Sequence, residues 1–277
     1  MSVQWIRDHA GQLLYATFLI VVAVLLLMPI AIVIPLSVGE NRIMSFPPEG
    51  FTLDWYRALL ADPRWANRLT NSLQVGIATA VLATVLGTLT ALGLSRARIR
   101  GKRFIFGLLL LPLIVPSVTI GIGMYFVWQE GWSIGPITIG GALTGSTLGY
   151  TLAHTVLALP FPFITVTASL ATVDRNLELA AASLGASPAT SFRRITLPLI
   201  MPGVVAGFIL SFLTSWDEVV VAILMATPRF ATIPVELFSQ IRQSPTPTAA
   251  ALSTLLMIAG LVAFLAANAL RRRSSAL

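Results

Sequence analysis

Two adjacent acidic residues, Asp217 and Glu218, follow Trp216 inside a long apolar stretch of the sequence. An ionisable side chain at membrane depth costs free energy, so it is expected to serve a function there. Carboxylates in such a place suit two chemistries: they bind a passing cation, with Trp216 adding a cation–π contact, or they act as an acid–base pair. A structural ion pair with an arginine is the alternative. Because adjacent positions of a helix point about 100° apart, the two acids are badly placed to share one reacting substrate.

A second charged stretch, residues 174–203, lies between two apolar segments and begins with a predicted short helix. Asp174 is a suitable N-cap, and Glu178 lies in the first turn, where the helix dipole favours an acid. Three alanines follow, which are strong helix formers with little bulk. Gly185 predicts the end of this helix, because glycine readily adopts the left-handed conformation that commonly follows a helix.

A second short helix is predicted directly after this turn. Ser187 is a suitable N-cap, and Pro188 fits the first helical position. We expect this helix to end before Leu197 and Pro198. The pair of helices is either a linker between two membrane spans or an element that docks into a partner in the aqueous phase, and its small residues favour docking.

The composition predicts a membrane protein. Hydrophobic residues make up 56% of the 277 residues and charged residues only 10%, which excludes an ordinary soluble domain. A membrane span needs about 20 apolar residues, and the uncharged runs predict six transmembrane helices in an all-α fold. The first run is too long for the core of a signal peptide, so we expect it to remain as a helix. The runs are Ala10–Gly39, Leu69–Ser95, Phe104–Gln129, Gly131–Val173, Ile195–Trp216 and Gln243–Leu270.

Within these runs, local signals predict the helix limits and bends. The first helix covers about residues 13–38, and the outer segment 39–68 is a long loop that carries one amphipathic helix at 51–60. Small residues along the second helix predict close packing. Prolines predict bends in the third and fourth helices. The glycine-rich start of the fourth run predicts a loop, and we expect the fifth helix to continue through Asp217 and Glu218.

The distribution of charge predicts the orientation. If both termini are cytoplasmic, that side holds twelve basic and three acidic residues, whereas the opposite side holds six of each. The positive-inside rule therefore places both termini and the segment 174–198 in the cytoplasm. The net charge of +7 then reflects the topology. A nucleic-acid partner is not expected, because it would need a basic face on a folded domain and the sequence offers none.

The segment 174–198 resembles the EAA loop of ABC importer permeases. The pattern A-A-x-x-x-G runs from Ala180 to Gly185, and I-x-L-P follows nine residues later, from Ile195 to Pro198. In the family the glutamate usually stands directly before the two alanines, where this chain has Leu179, and Glu178 lies one place earlier. The residues that the resemblance implies for coupling to the ATPase are Glu178, Ala180, Ala181, Leu184, Gly185, Ala186 and Ser187.

The resemblance implies one transmembrane permease domain over residues 1–277, with its core at about 69–271, in a bacterial inner membrane. Such permeases work in pairs, receive cargo from a periplasmic binding protein and are driven by two ATP-binding subunits. The chain carries no G-x-x-x-x-G-K-[ST] motif, so we expect ATP to be bound by the partner subunit. We expect no enzymatic activity, catalytic residue, metal ligand or cofactor in this chain.

Two stretches resemble the spermidine/putrescine branch of these permeases: F-P-P-E-G-F-T-L-D-W-Y at Phe46–Tyr56 and S-W-D-E-V-V-V-A at Ser215–Ala222. This branch uses two different permeases, which implies a heterodimer, and Trp216, Asp217 and Glu218 are the predicted pathway residues. Acids on a pathway also suit a polycation. The alternatives are an importer of iron, sulfate, opines or amino-acid-like solutes, or a stand-alone secondary transporter, for which the sequence offers no coupling-ion ligands or inverted repeat.

Overall fold

A computed structural model describes residues 3–96, 100–134, 137–243 and 246–274. Helices dominate this part of the chain, as predicted. One antiparallel pair of short strands, β1 and β2, lies where the glycine-rich sequence predicted only a loop. In chain order the elements are α1 (Val3–Leu36), α2 (Asp54–Ala61), α3 (Pro63–Arg96), α4 (Lys102–Ile114), α5 (Ser117–Glu130), β1 (Trp132–Ile134), β2 (Ile137–Ile139), α6 (Thr147–Ala158), α7 (Pro160–Ala171), α8 (Arg175–Ser183), α9 (Pro188–Ser191), α10 (Leu197–Trp216), α11 (Val220–Met225), α12 (Ile233–Gln243) and α13 (Pro247–Ser274).

The chain divides into two compact units, of which the first covers residues 1–65 and 239–277. In this unit α13 packs against α1 and α2. The apolar stretch Leu14–Leu36 of α1 is largely exposed, and none of the residues in its most apolar window is buried, which suits contact with lipid or with another subunit. The chain after α1 is tied to α2 by two hydrogen bonds, because Trp55 Nε1 donates to the carbonyl of Gly39 at 2.7 Å and the hydroxyls of Tyr56 and Ser37 lie 2.6 Å apart.

The predicted outer loop at 39–68 is shorter than expected. It contains α2, as predicted, but α3 begins at Pro63 and not near residue 69. The reason is local, since proline fits the first position of a helix and the carboxylate of Asp62 accepts the backbone N–H of Arg64 at 2.9 Å. The side chain of Arg64 also pairs with Asp62 and lowers the pKa of that carboxyl.

The second unit covers residues 66–238. The small residues of α3 form its buried face, which confirms the packing predicted from the sequence: Ala80 and Ala83 are fully buried, and Ala91 is 1% exposed. A side chain at Gly87 would meet Pro162 of α7 at 2.7 Å. A side chain at Gly207 of α10 would meet the same proline at 2.5 Å. Small residues therefore let α3 and α10 both approach α7.

Prolines bend two of the predicted spans. The chain turns by 98° between α4 and α5 and by 45° between α6 and α7. Val115 adopts an extended conformation before Pro116, as the ring of the following proline favours, and this breaks the third predicted helix in two. The bend in the fourth helix at Pro160 is the one that the sequence predicted.

The number of spans depends on how these bent pairs cross a bilayer. Among the described residues, three helical stretches are long and apolar enough to span a membrane: α1, α3 and Pro188–Trp216. If each bent pair crosses the membrane as one span, the number of spans rises to five. The described apolar part of α13, Pro247–Val262, is shorter than a span. The helical membrane architecture is thus confirmed, whereas the count of six spans stays a prediction.

Candidate coupling segment and acidic helix break

The coupling segment, which we define as residues 174–198, begins with the helix that the sequence predicted. The carboxylate of Asp174 accepts the backbone N–H of Asn176 at 2.9 Å and so caps α8. At the other end, Gly185 takes a left-handed conformation with φ of 82°. Its N–H donates to the carbonyl of Ala182 at 2.9 Å, and the next N–H donates to the carbonyl of Ala181 at 3.0 Å. This pair of bonds is a Schellman motif, which satisfies carbonyls that the end of a helix leaves free.

The second predicted helix also starts as expected. The hydroxyl of Ser187 accepts the N–H of Thr190 at 3.3 Å, and Pro188 occupies the first turn. The predicted end before Leu197 and Pro198 is wrong, because the chain stays helical from α9 into α10 through a π-helical turn at Phe192–Thr196. Pro198 has no N–H to donate, and a wide turn of this kind accommodates backbone groups that a proline frees.

The turn between α8 and α9 is the exposed tip of this segment. Leu184 is 89% exposed, and the space around Gly185 is open, since a side chain there would meet nothing within 4 Å. Ala180 and Ser187 are also exposed, whereas Ala181 and Ala186 are half-buried. The segment therefore presents an apolar leucine and a bare glycine turn that none of the residues described by the structure covers.

Glu178 does not share that exposed tip. One oxygen of its carboxylate, Oε1, accepts hydrogen bonds from the guanidinium of Arg96 and from the hydroxyl of Thr196. Arg96 is the last residue of α3, and Thr196 closes the π-helical turn before α10. The structure thus separates Glu178 from the other predicted coupling residues and brings it to two residues that the sequence did not single out.

The acidic pair lies at a break between two helices, so the prediction that the fifth helix continues through it is wrong. Helix α10 ends at Trp216, and α11 begins at Val220. The carboxylate of Glu218 accepts the N–H of Val221 at 2.8 Å, which satisfies one of the free donors at the start of α11. Because the acid can accept this N–H, it favours the start of a new helix at Val220 over a continuation of α10.

The three predicted pathway residues have different surroundings. Asp217 is exposed, and in the part of the chain that the structure describes its carboxylate has neither a hydrogen-bonding nor an ionic partner. Glu218 is half-buried and caps α11. Trp216 stacks on Phe212 with ring centroids 5.7 Å apart, so one face of its ring is already occupied. Asp217 is therefore the free charge of the group.

Helix α6 fixes both sides of this break, a feature that the sequence analysis missed. The Nδ1 atom of His154 lies 2.8 Å from the hydroxyl of Ser215, which directly precedes Trp216. The hydroxyl of Tyr150 donates to the carbonyl of Ala222 in α11 at 2.8 Å. Both α6 residues are almost completely buried. The sequence alone does not indicate which residues His154 and Tyr150 contact.

The chain after α11 is held by the start of α3. The guanidinium of Arg68 pairs with Glu236 at 3.2 Å and donates to the carbonyls of Pro228 and Arg229. Asn71 donates to the carbonyl of Ala231 at 3.0 Å. The acidic break and the segment that follows it are thus attached to two well-packed helices, which limits how far Asp217 moves.

A comparison with known families supports the architecture. The family described as "Binding-protein-dependent transport system inner membrane component" matches residues 83–276. That range includes the coupling segment, the acidic break and the C-terminal part of α3.

Three curated relatives resemble the chain over most of its length. The spermidine/putrescine transport system permease protein PotC of Escherichia coli (strain K12) is 32% identical over 265 residues, which cover 95% of each chain. The putrescine transport system permease protein PotI of the same strain is 33% identical over 78% of this chain and 76% of the relative. The molybdenum transport system permease protein ModB of Mycobacterium bovis (strain ATCC BAA-935 / AF2122/97) is 35% identical over 78% of this chain and 84% of the relative.

A solved structure has the same fold. A chain from the crystal structure of a bacterial alginate ABC transporter, in complex with an alginate pentasaccharide-bound periplasmic protein, aligns with a TM-score of 0.73. The alignment covers 97% of both chains at 19% sequence identity.

Proposed function

This chain belongs to the family of binding-protein-dependent transport system inner membrane components, and we propose that it forms, with a second permease, the pathway of an ATP-driven importer. A periplasmic binding protein delivers the solute, and two ATP-binding subunits supply the energy. The chain itself binds no cofactor and catalyses no reaction. Its residues form one permease domain, with both termini and the coupling segment on the cytoplasmic side, where the basic residues are concentrated.

The observation that carries this proposal is the exposed tip at Leu184 and Gly185. A leucine that is 89% exposed in an aqueous segment suits burial against another protein, and the open space around the glycine leaves the turn accessible to that partner. The helix that follows the tip runs through the π-helical turn directly into α10. Force applied to the tip by an ATP-binding subunit therefore reaches a membrane span without passing through a flexible linker.

We propose a polyamine as the cargo. The free carboxylate of Asp217 at the end of α10 suits a polycation, which supplies the opposite charge as it passes. The names of PotC and PotI state that those relatives serve spermidine or putrescine transport. ModB, whose name refers to molybdenum, shows that a relative of comparable identity serves a different solute. The second permease is a different chain, as the resemblance to the spermidine/putrescine branch implies.

Reconstitution in proteoliposomes tests the proposed function. Vesicles that hold both permeases and the ATP-binding subunits should take up radiolabelled spermidine or putrescine when the binding protein and ATP are present. Omission of the ATP-binding subunits should abolish uptake, because this chain carries no phosphate-binding motif with which to use ATP itself. Uptake that persists without these subunits would identify a stand-alone transporter. ATP-dependent uptake of another solute, with no uptake of polyamines, would refute the cargo proposal alone.

A further inference from the structure

Glu178 joins three elements of the second unit through one oxygen atom. It lies in the first turn of α8, and its Oε1 accepts hydrogen bonds from Arg96 at the end of α3 and from Thr196 in the turn that leads into α10. Thr196 is fully buried, so its hydroxyl holds a fixed position. The carboxylate therefore connects the coupling segment to the cytoplasmic ends of two long helices.

Two clefts border this contact. The first, of about 390 Å³, is lined by Arg96 and Glu178 and also by Thr167, Leu170 and Val173. The second, of about 280 Å³, is lined by the same pair and also by Ala182 and Phe192. The pair borders open space at these clefts, so the hydrogen bonds of Glu178 add to the contacts of α8 with α9 and the π-helical turn in setting the position of α8.

The pair is too exposed to contribute much to the stability of the fold. The side chain of Arg96 is 45% exposed and that of Glu178 is 30% exposed. Ion pairs of this kind add little to the free energy of folding, because water screens both charges. Their geometric effect remains, since two directed hydrogen bonds to one oxygen fix the direction of α8 relative to α3 and α10.

We propose that Arg96, Glu178 and Thr196 form a joint within the subunit that orients the coupling segment on α3 and α10, and that Glu178 does not contact the ATP-binding subunit. Glu178 is then a positioning residue. It holds the tip at Leu184 in the direction needed for docking, and it transmits motion of α8 to both helices at once. The inference rests on the proposed coupling function and assigns to Glu178 a role that differs from that of the exposed tip.

Reversal of the charges tests the joint. Arg96→Glu and Glu178→Arg each place like charges together, and the double variant restores an opposite pair. In the isolated full-length permease pair, amide hydrogen exchange of α8 should be about fivefold faster in each single variant, which corresponds to loss of a half-exposed ion pair. Exchange should return towards the parent rate in the double variant. Arg96→Lys keeps the charge and should stay close to the parent.

The same variants are then assayed for uptake and ATP hydrolysis in the complete transporter. Each single variant should transport fewer solute molecules per ATP hydrolysed, and the double variant should recover the ratio. The proposal is overturned if Arg96→Glu matches the parent in both measurements, or if the double variant is no better than Glu178→Arg, which is the result expected when Glu178 contacts the ATP-binding subunit. The proposal is also overturned if amide hydrogen exchange of α8 changes while the number of solute molecules transported per ATP does not.

The two proposals fail in different ways. If uptake by the parent does not depend on the ATP-binding subunits, the proposed function is wrong. Amide hydrogen exchange of α8 in the isolated permease pair, without the ATP-binding subunits, still decides whether Arg96 and Glu178 form the joint.

Discussion

The carboxylate of Asp217 differs from that of Glu218 in its contacts. Asp217 is exposed and has no partner among the residues that the structure describes, whereas Glu218 caps α11 through the N–H of Val221. A charge that none of these described residues neutralises is available to a cation that passes. The cap on α11, in contrast, needs only an oxygen atom at residue 218 that accepts the N–H of Val221, and this atom need not carry a charge.

This difference predicts different results for two substitutions that each replace the acid by a neutral side chain of similar volume. Asp217→Asn should lower the apparent affinity for a polyamine about fivefold, the value of one unit-charge contact at 4 Å in water. Glu218→Gln should change uptake little, because the amide oxygen still accepts the N–H of Val221. Initial uptake rates over a range of polyamine concentrations measure both effects.

Equal effects of the two substitutions would contradict the separate roles. If Asp217→Asn transports as the parent does, the acidic pathway is wrong. Loss of pairing with the second permease in Asp217→Asn would instead support a structural ion pair with that subunit.

At the scale of elements, the turn between α8 and α9 follows from local chemistry. Gly185 has φ of 82°, and the conformation is costly for alanine but accessible to asparagine. Nothing lies within 4 Å of the position, so either side chain fits the isolated permease. The two substitutions therefore separate the shape of the turn from the absence of a side chain.

We expect Gly185→Ala to weaken binding of the ATP-binding subunits, because the turn would cost about 1–2 kcal/mol to maintain. Gly185→Asn should bind nearly as the parent does. Copurification of the ATP-binding subunits with the permease pair measures the difference. If asparagine weakens binding as much as alanine, the partner requires a bare glycine and the shape of the turn is not the cause.

The same elements show what could be predicted from the sequence. The caps at Asp174 and Ser187 and the turn at Gly185 depend on residues a few positions apart, so local patterns were sufficient. The buried small face of α3 was also predictable, because its spacing repeats along one helix. The resemblance added the family, which the comparisons confirm over most of the chain.

The features that the sequence did not predict have other causes. The end of α10 at Trp216 depends on Glu218 as a cap for the next helix and on anchors from α6, more than 60 residues earlier in the sequence. The partner of Glu178 at Arg96 lies 82 residues away. The continuation of α9 into α10 depends on a π-helical turn, for which the sequence gives no simple signal. Contacts between distant residues decided the first two of these features.

At the scale of the whole molecule, the proposed function requires that the coupling segment faces the cytoplasm and that an ATP-binding subunit covers its tip. The absence of cysteine from this chain makes both requirements measurable with single substitutions. Leu184 is 89% exposed, and Leu60 in α2 is 80% exposed, which makes it a matched control on the predicted outer side. Neither side chain contributes appreciably to a core, so Leu184→Cys and Leu60→Cys should both fold as the parent does.

Labelling of these two cysteines by a membrane-impermeant thiol reagent tests the central proposal most directly. In oriented membrane vesicles, Leu184→Cys should react only from the cytoplasmic face, and assembly with the ATP-binding subunits should block the reaction. Leu60→Cys should react only from the opposite face, with or without these subunits. Reaction of Leu184→Cys from the outer face would contradict the orientation, and unchanged reaction in the assembled transporter would contradict docking at the tip.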